Sequence, residues 1–167
     1  MRRRRTVILM LSLVTPVGAR AAEPATDANV RLQVLLTVKN GEYLLGETLT
    51  SADSRPFVLQ SSELPWGEGR SLHLDTFIPD SRGAKLASSP LGPPPRGEIV
   101  LEAGRSLSGE LNLNKVFIGL ERMLDIHPVI IHWAYQFRAA RPAAAAGWQA
   151  GSFVIPKGGL VEGVTLH

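Results

Sequence analysis

Strict alternation is the feature that most restricts the fold. At Val30, Leu32, Val34, Leu36 and Val38 every second residue is aliphatic, while Arg31, Gln33, Thr37 and Lys39 take most of the positions between them. A side-chain period of two belongs to a strand with one face in a core and the other in water. The segment runs into Asn40-Gly41, a pair that tolerates the positive φ angles of a two-residue hairpin turn. Glu42 to Thr50, with Tyr43 and Leu45 on one face, is therefore predicted to fold back as its partner.

The same pattern recurs along the chain. Short strands are expected at Arg55 to Gln60 and at Ser71 to Ile78, the second setting Leu72, Leu74 and Thr76 against His73, Asp75 and Phe77. Glu98 to Glu102 and Ser106 to Leu113 flank Ala103 and Gly104 as two more. Val129, Ile131, Trp133, Tyr135 and Phe137 occupy one face of the strongest strand, and Ile130 and Ala134 on its reverse predict a central position covered on both sides. Gly147 to Ile155 reads as the last strand, with Trp148 and Val154 on one face and Phe153 and Ile155 on the other. Trp133 and Trp148, both within strands, are expected in the core. Val116, Leu120 and Leu124 follow helical spacing and predict one short helix. From Pro79 to Gly97, the density of proline and glycine forbids regular structure and predicts one long surface loop. The glycine-rich stretch Lys157 to His167 has no evident partner and is expected to be a loose, disordered tail.

Connections this short cannot carry helical crossovers, so the strands must pair antiparallel. The expected class is all-β: an antiparallel, immunoglobulin-like sandwich of about seven to eight strands over residues 30–156, with one short helix before the penultimate strand. The run Ile99, Val100, Leu101, Glu102, Ala103, Gly104, Arg105, Ser106, Leu107, Ser108, Gly109, Glu110, Leu111, Asn112, Leu113 resembles a segment of bacterial immunoglobulin-like domains of exported proteins. In those domains the next strand is aromatic-rich, as Val129 to Phe137 is here. The resemblance covers roughly Val30 to Pro156. It implies a fold and carries over no catalytic residue.

The N-terminus constrains the compartment. Arg2 to Arg5, the apolar run Thr6 to Val14 and the small residues Ala19 and Ala21 have the layout of a cleavable secretory signal, with cleavage expected between Ala21 and Ala22. A twin-arginine route is the alternative reading of Arg4-Arg5. The apolar run is shorter than the roughly 20 residues a bilayer span needs, so no stable membrane insertion is expected. Residues 22–29 are read as a flexible lead into the domain, and the destination as periplasmic or secreted. Of 18 basic residues, five leave with the signal, so 13 stand against 15 acidic ones in the mature chain. The basic footprint of a nucleic-acid binder is then absent. With no cysteine, the domain must be stabilised by packing alone.

No catalytic set emerges from the sequence. Histidines 73, 127 and 132 lack the spacing of a metal motif, with His127 and His132 expected on opposite strand faces. No G-x-S-x-G elbow is present. The acids Glu63, Glu68, Asp75 and Asp80 are scattered rather than paired, and Gly67-Glu68-Gly69 lacks a strand-to-helix context. Neither a metal nor another cofactor is expected. The residue best suited to binding is Trp66, in the loop Glu63-Leu64-Pro65-Trp66-Gly67, with Tyr43 and Arg70 as companions; the structural role, a ring folded back to cap one end of the sandwich, is the one favoured for such a loop tryptophan. The sequence thus points to a non-catalytic exported module that binds another exported protein, as an inhibitor or assembly accessory. An envelope polymer or carbohydrate held at Trp66 is the alternative.

Overall fold

The alternating segments pair as their periodicity requires. The computed structural model describes residues 26–67, 71–79, 84–89 and 96–167. The signal segment with the Ala21-Ala22 cleavage point, the first residues of the N-terminal lead, Glu68, Gly69, Arg70, Asp80 and much of the proline-rich loop lie outside the described residues. In chain order the strands are β1 (Thr26–Asp27), β2 (Val30–Lys39), β3 (Glu42–Ser51), β4 (Phe57–Gln60), β5 (His73–Phe77), β6 (Glu98–Leu101), β7 (Ser106–Asn112), β8 (Val129–Tyr135), β9 (Arg138–Ala139), β10 (Ala144–Ala145), β11 (Gln149–Ile155) and β12 (Thr165–Leu166). Two short helices, α1 (Leu113–Val116) and α2 (Leu120–Leu124), precede β8.

β2 and β3 form a ten-residue hairpin from Val30↔Ser51 to Lys39↔Glu42. Its turn is closed by Asn40 and Gly41, both at positive φ (52° and 76°), the conformation their side chains permit at low cost. β7 pairs with the far side of β3, giving the order β12-β2-β3-β7. The second sheet is β11-β8-β5, antiparallel throughout, with β8 in the centre as predicted, but its reverse face through Ile130, His132 and Ala134 is not covered as expected: Ile130 and Ala134 are only partly buried and His132 is exposed. A β4-β6 pair and the small β1-β10-β9 sheet, whose β1-β10 pairing is parallel, complete the architecture.

Leu32, Val34, Leu36, Leu45 and Leu49 from the first sheet and Val129, Ile131, Phe153 and Ile155 from the second share one core with Phe57, Leu101 and Phe137. Burying a side chain of this size contributes about 1.5–3 kcal/mol, which lets a chain without cysteine hold together. Gln149 stitches the two sheets by accepting from Leu32 N at 2.7 Å and donating to Val30 O at 3.1 Å. The fold is the expected all-β, antiparallel, sandwich-like class.

Three local expectations need correction. The described part of the 22–29 lead is not flexible: Thr26 and Asp27 pair with Ala144 and Ala145, and Asn29 N donates to Asp53 Oδ2 at 2.8 Å. The single helix is split, because Gly119 adopts a left-handed conformation (φ 79°) between α1 and α2. Phe117 leaves the helical path there to bridge Ser88, with Ile118 N donating to Ala87 O at 2.9 Å. Residues 157–167 are not a loose tail. Thr165 and Leu166 pair with Thr37 and Leu36, and Gly163 N donates to Val38 O at 3.1 Å. The Glu162 carboxylate accepts from Asn40 N at 2.7 Å and Gly41 N at 3.3 Å, satisfying turn amides that a hairpin alone leaves unpaired.

Candidate functional site: the outer face of β5, β8 and β11

Sheet register lays out this face row by row. Phe77, Ile130 and Val154 stand opposite one another across three strands, and Phe77 and Val154 are 40% and 56% exposed. Asp75, His132 and Ser152 form the next row, and His73, Ala134 and Ala150 the third. Beyond that row Trp148, 58% exposed, sets its indole 5.6 Å from the His73 ring at an interplanar angle of 46°.

Because alanine leaves space above the sheet where larger side chains would fill it, the third row becomes the floor of a hollow of about 510 Å³ bordered by His73, Asp75, His132 and Gly151. A second hollow of about 140 Å³ shares His73 and is lined by Glu63, Ser71, Gln136, Arg138 and Trp148. Together they make a shallow groove with an indole at one end and an aliphatic row at the other. The Lys85 ammonium ion-pairs with Asp75 and, as its main hydrogen-bond partner, holds that carboxyl below its ordinary range. Arg138 donates to Gln136 Oε1 through Nε and Nη2 at 3.2 and 2.8 Å, so its guanidinium is oriented beside Trp148's hollow. These groups offer aromatic and aliphatic contact together with donors and acceptors. Among the described residues, no group of three or more His, Asp or Glu is arranged to hold a metal ion. His73 and His132 share the outer face, and His127 lies before β8.

The expected binding residues fall elsewhere. Tyr43 is only 6% exposed, and its hydroxyl accepts from Leu160 N at 3.2 Å beneath the C-terminal segment, so it has no ring face to offer a ligand. Trp66 is half-buried against the core. Its indole occupies the space where a side chain on Gly109 would stand, on the inward face of β7. Trp66 therefore folds back onto the domain, as the favoured reading of its loop expects, but over Gly109 on the edge strand β7. Arg70 lies outside the described residues. Trp148, expected in the core, is the exposed tryptophan. It shares a face with Val154, as alternation predicts, but that face turns to solvent because Phe153 and Ile155 point inward. Trp133 does pack inward, its ring 2.8 Å from where a Cβ on Gly151 would be.

One buried residue escaped the sequence reading altogether. Glu47 sits between Leu45 and Leu49 on the inward face of β3, 1% exposed, and neither carboxylate oxygen has a hydrogen-bond partner. Burial pushes its pKa up to about 8, so the carboxyl is mostly protonated at neutral pH. Its parity with Tyr43 and Leu45 was the available signal. Tyr135 is also buried, donating to Glu63 O at 3.1 Å, and its hydroxyl is pushed up first by burial and then by Glu63 and Glu47. The chain matches no protein-family model, and no curated protein matches it as a relative.

Proposed function

We propose that the protein is an exported, non-catalytic, immunoglobulin-like module that binds another exported protein across the outer face of β5, β8 and β11. The observation that carries this reading is the exposure on one sheet face of Phe77, Val154 and Trp148. Exposed aliphatic and aromatic side chains of this kind gain stability when a partner removes them from water, and tryptophan is the residue type most often found at the energetic centre of an interface. Export rests on the N-terminal layout of arginines, apolar run and small residues. The resemblance of Ile99 to Leu113 to bacterial immunoglobulin-like domains belongs to the same proposal.

Trp148 beside His73, with Glu63, Ser71, Gln136 and Arg138 around the smaller hollow, favours a second reading in which the groove holds a saccharide of an envelope polymer. A partner pull-down with mature protein and its Trp148→Ala and Val154→Asp variants, run beside a glycan panel, separates the two. The protein-binding reading expects one exported protein that both variants lose. Glycan binding lost with Trp148→Ala and unchanged by Val154→Asp would replace it with the saccharide reading.

A further inference from the structure

Glu47 and Trp66 are neighbours by register. Glu47 pairs directly with Gly109 across β3 and β7, so the two residues point to the same inward side. Trp66 lies in the space left by the missing Gly109 side chain, and β7 is the edge of its sheet. The indole thus closes the edge of the core beside a carboxyl whose oxygens are unpaired. We infer that Glu47 and Trp66 form a proton-operated latch: while the Glu47 carboxyl is neutral Trp66 seals the core over it, and charging the carboxyl releases Trp66 and the segment that carries it.

Among the described residues, the groups facing Glu47 supply nothing to stabilise a charge. Val34 opposes it on β2 and Gly109 on β7, Leu45 and Leu49 flank it on β3, and from β8 the ionisable neighbour is the Tyr135 phenol. Glu63, at the start of the Trp66 segment, adds negative charge near Tyr135. No described cation is placed to compensate a Glu47 carboxylate. An unpaired charge in an apolar interior is strongly unfavourable, whereas local opening of a short segment can bring water to it at lower cost than global unfolding. Among the described residues, the Trp66 segment is held by Ser71 Oγ, which donates to Glu63 O and Leu64 O at 2.8 Å each, by Gly67 N donating to Leu64 O at 3.0 Å, and by Tyr135 Oη donating to Glu63 O. Its release would also move Glu63, which lines the groove at the Trp148 end.

The test labels all three tryptophans with 5-fluorotryptophan and follows their fluorine resonances from pH 5 to 10, assigning them by Trp66→Phe and Trp148→Phe. The latch predicts that the Trp66 resonance moves to a solvent-exposed position with a midpoint above the ordinary carboxyl value of 4.5 and no higher than about pH 8, the value of the closed site, while Trp133 keeps its folded shift. Glu47→Gln, which is isosteric and cannot ionise, removes that transition, and Glu47→Leu serves the same purpose should the glutamine variant fail to fold. A Trp66 resonance that stays fixed, that moves equally in the neutral variants, or that moves only together with Trp133 in global unfolding overturns the inference.

Discussion

The two sheets turn different surfaces to water. On the outside of β3 and β7, hydroxyls pair across the strands, Thr48 with Ser108 at 3.0 Å and Thr50 with Ser106 at 2.8 Å, while Arg31, Gln33 and Lys39 extend the polar surface over β2. On the outside of β5, β8 and β11 the rows run from Phe77, Ile130 and Val154 through Asp75, His132 and Ser152 to His73 and two alanines, ending at Trp148, so that large apolar side chains stand exposed at both ends of a polar middle. Both faces meet the demands of strand pairing equally well. The difference therefore reflects what each face meets beyond the sheet, water in the first case and, on the present reading, a partner in the second. The inward faces differ too: each has a tryptophan folded over a glycine, Trp133 over Gly151 and Trp66 over Gly109, but only the second stands beside an unpaired carboxyl.

The largest effect expected from this contrast is at Glu47. Its folded-state carboxyl keeps its proton to about pH 8, against 4.5 as an ordinary carboxyl. The folded state therefore holds the extra proton within that window, and stability falls as pH rises from about 4.5 through about 8, then levels off. At about 1.4 kcal/mol per pH unit, the loss reaches at most about 5 kcal/mol, less whatever local opening at Trp66 relieves. Urea denaturation at pH 5 and pH 9 should show this fall in the wild type, and Glu47→Gln should remove most of it.

Gly109→Val comes next. A side chain there must displace the Trp66 indole, with an expected loss of about 2–3 kcal/mol in the same denaturation measurement. Trp148→Ala should change stability by less than about 0.5 kcal/mol, since more than half of the side chain is already in water. It should nevertheless weaken partner binding by about 2 kcal/mol, or roughly 30-fold in Kd by calorimetry. The smallest effect belongs to the polar face, where Ser108→Ala should shift stability by no more than about 0.5 kcal/mol and leave partner affinity unchanged. A binding loss at Ser108 would break the comparison between the faces.

Much of this molecule was legible in its alternation. The hairpin at Asn40-Gly41, the central strand from Val129 and the division of Leu72 and Leu74 from His73 and Asp75 all follow from period-two patterning and turn chemistry. Alternation fixes which residues share a face but leaves open which face is inside. A place within a strand suggests a core position for Trp148, yet Phe153 and Ile155 on the opposite parity supply the buried side of β11. Trp66 illustrates the converse, because its burial depends on an empty space at Gly109, more than forty residues away in sequence. The order of residues 157–167 escaped notice for a similar reason: β12 is two residues long, and its anchors, Glu162 on the turn amides and Leu160 on Tyr43, are single long-range hydrogen bonds with no local pattern. Glu47 could have been found by reading β3 parity through to its middle.

The central claim is that the β5-β8-β11 face, and not the β2-β3-β7 face, meets a partner. Photo-crosslinking is the direct test, with p-benzoylphenylalanine placed at Ser152 on the first face or Ser108 on the second and irradiation carried out on intact cells. One discrete protein adduct is expected from position 152, lost when Trp148→Ala is added, and none from position 108. An adduct from 108 with none from 152 would contradict it.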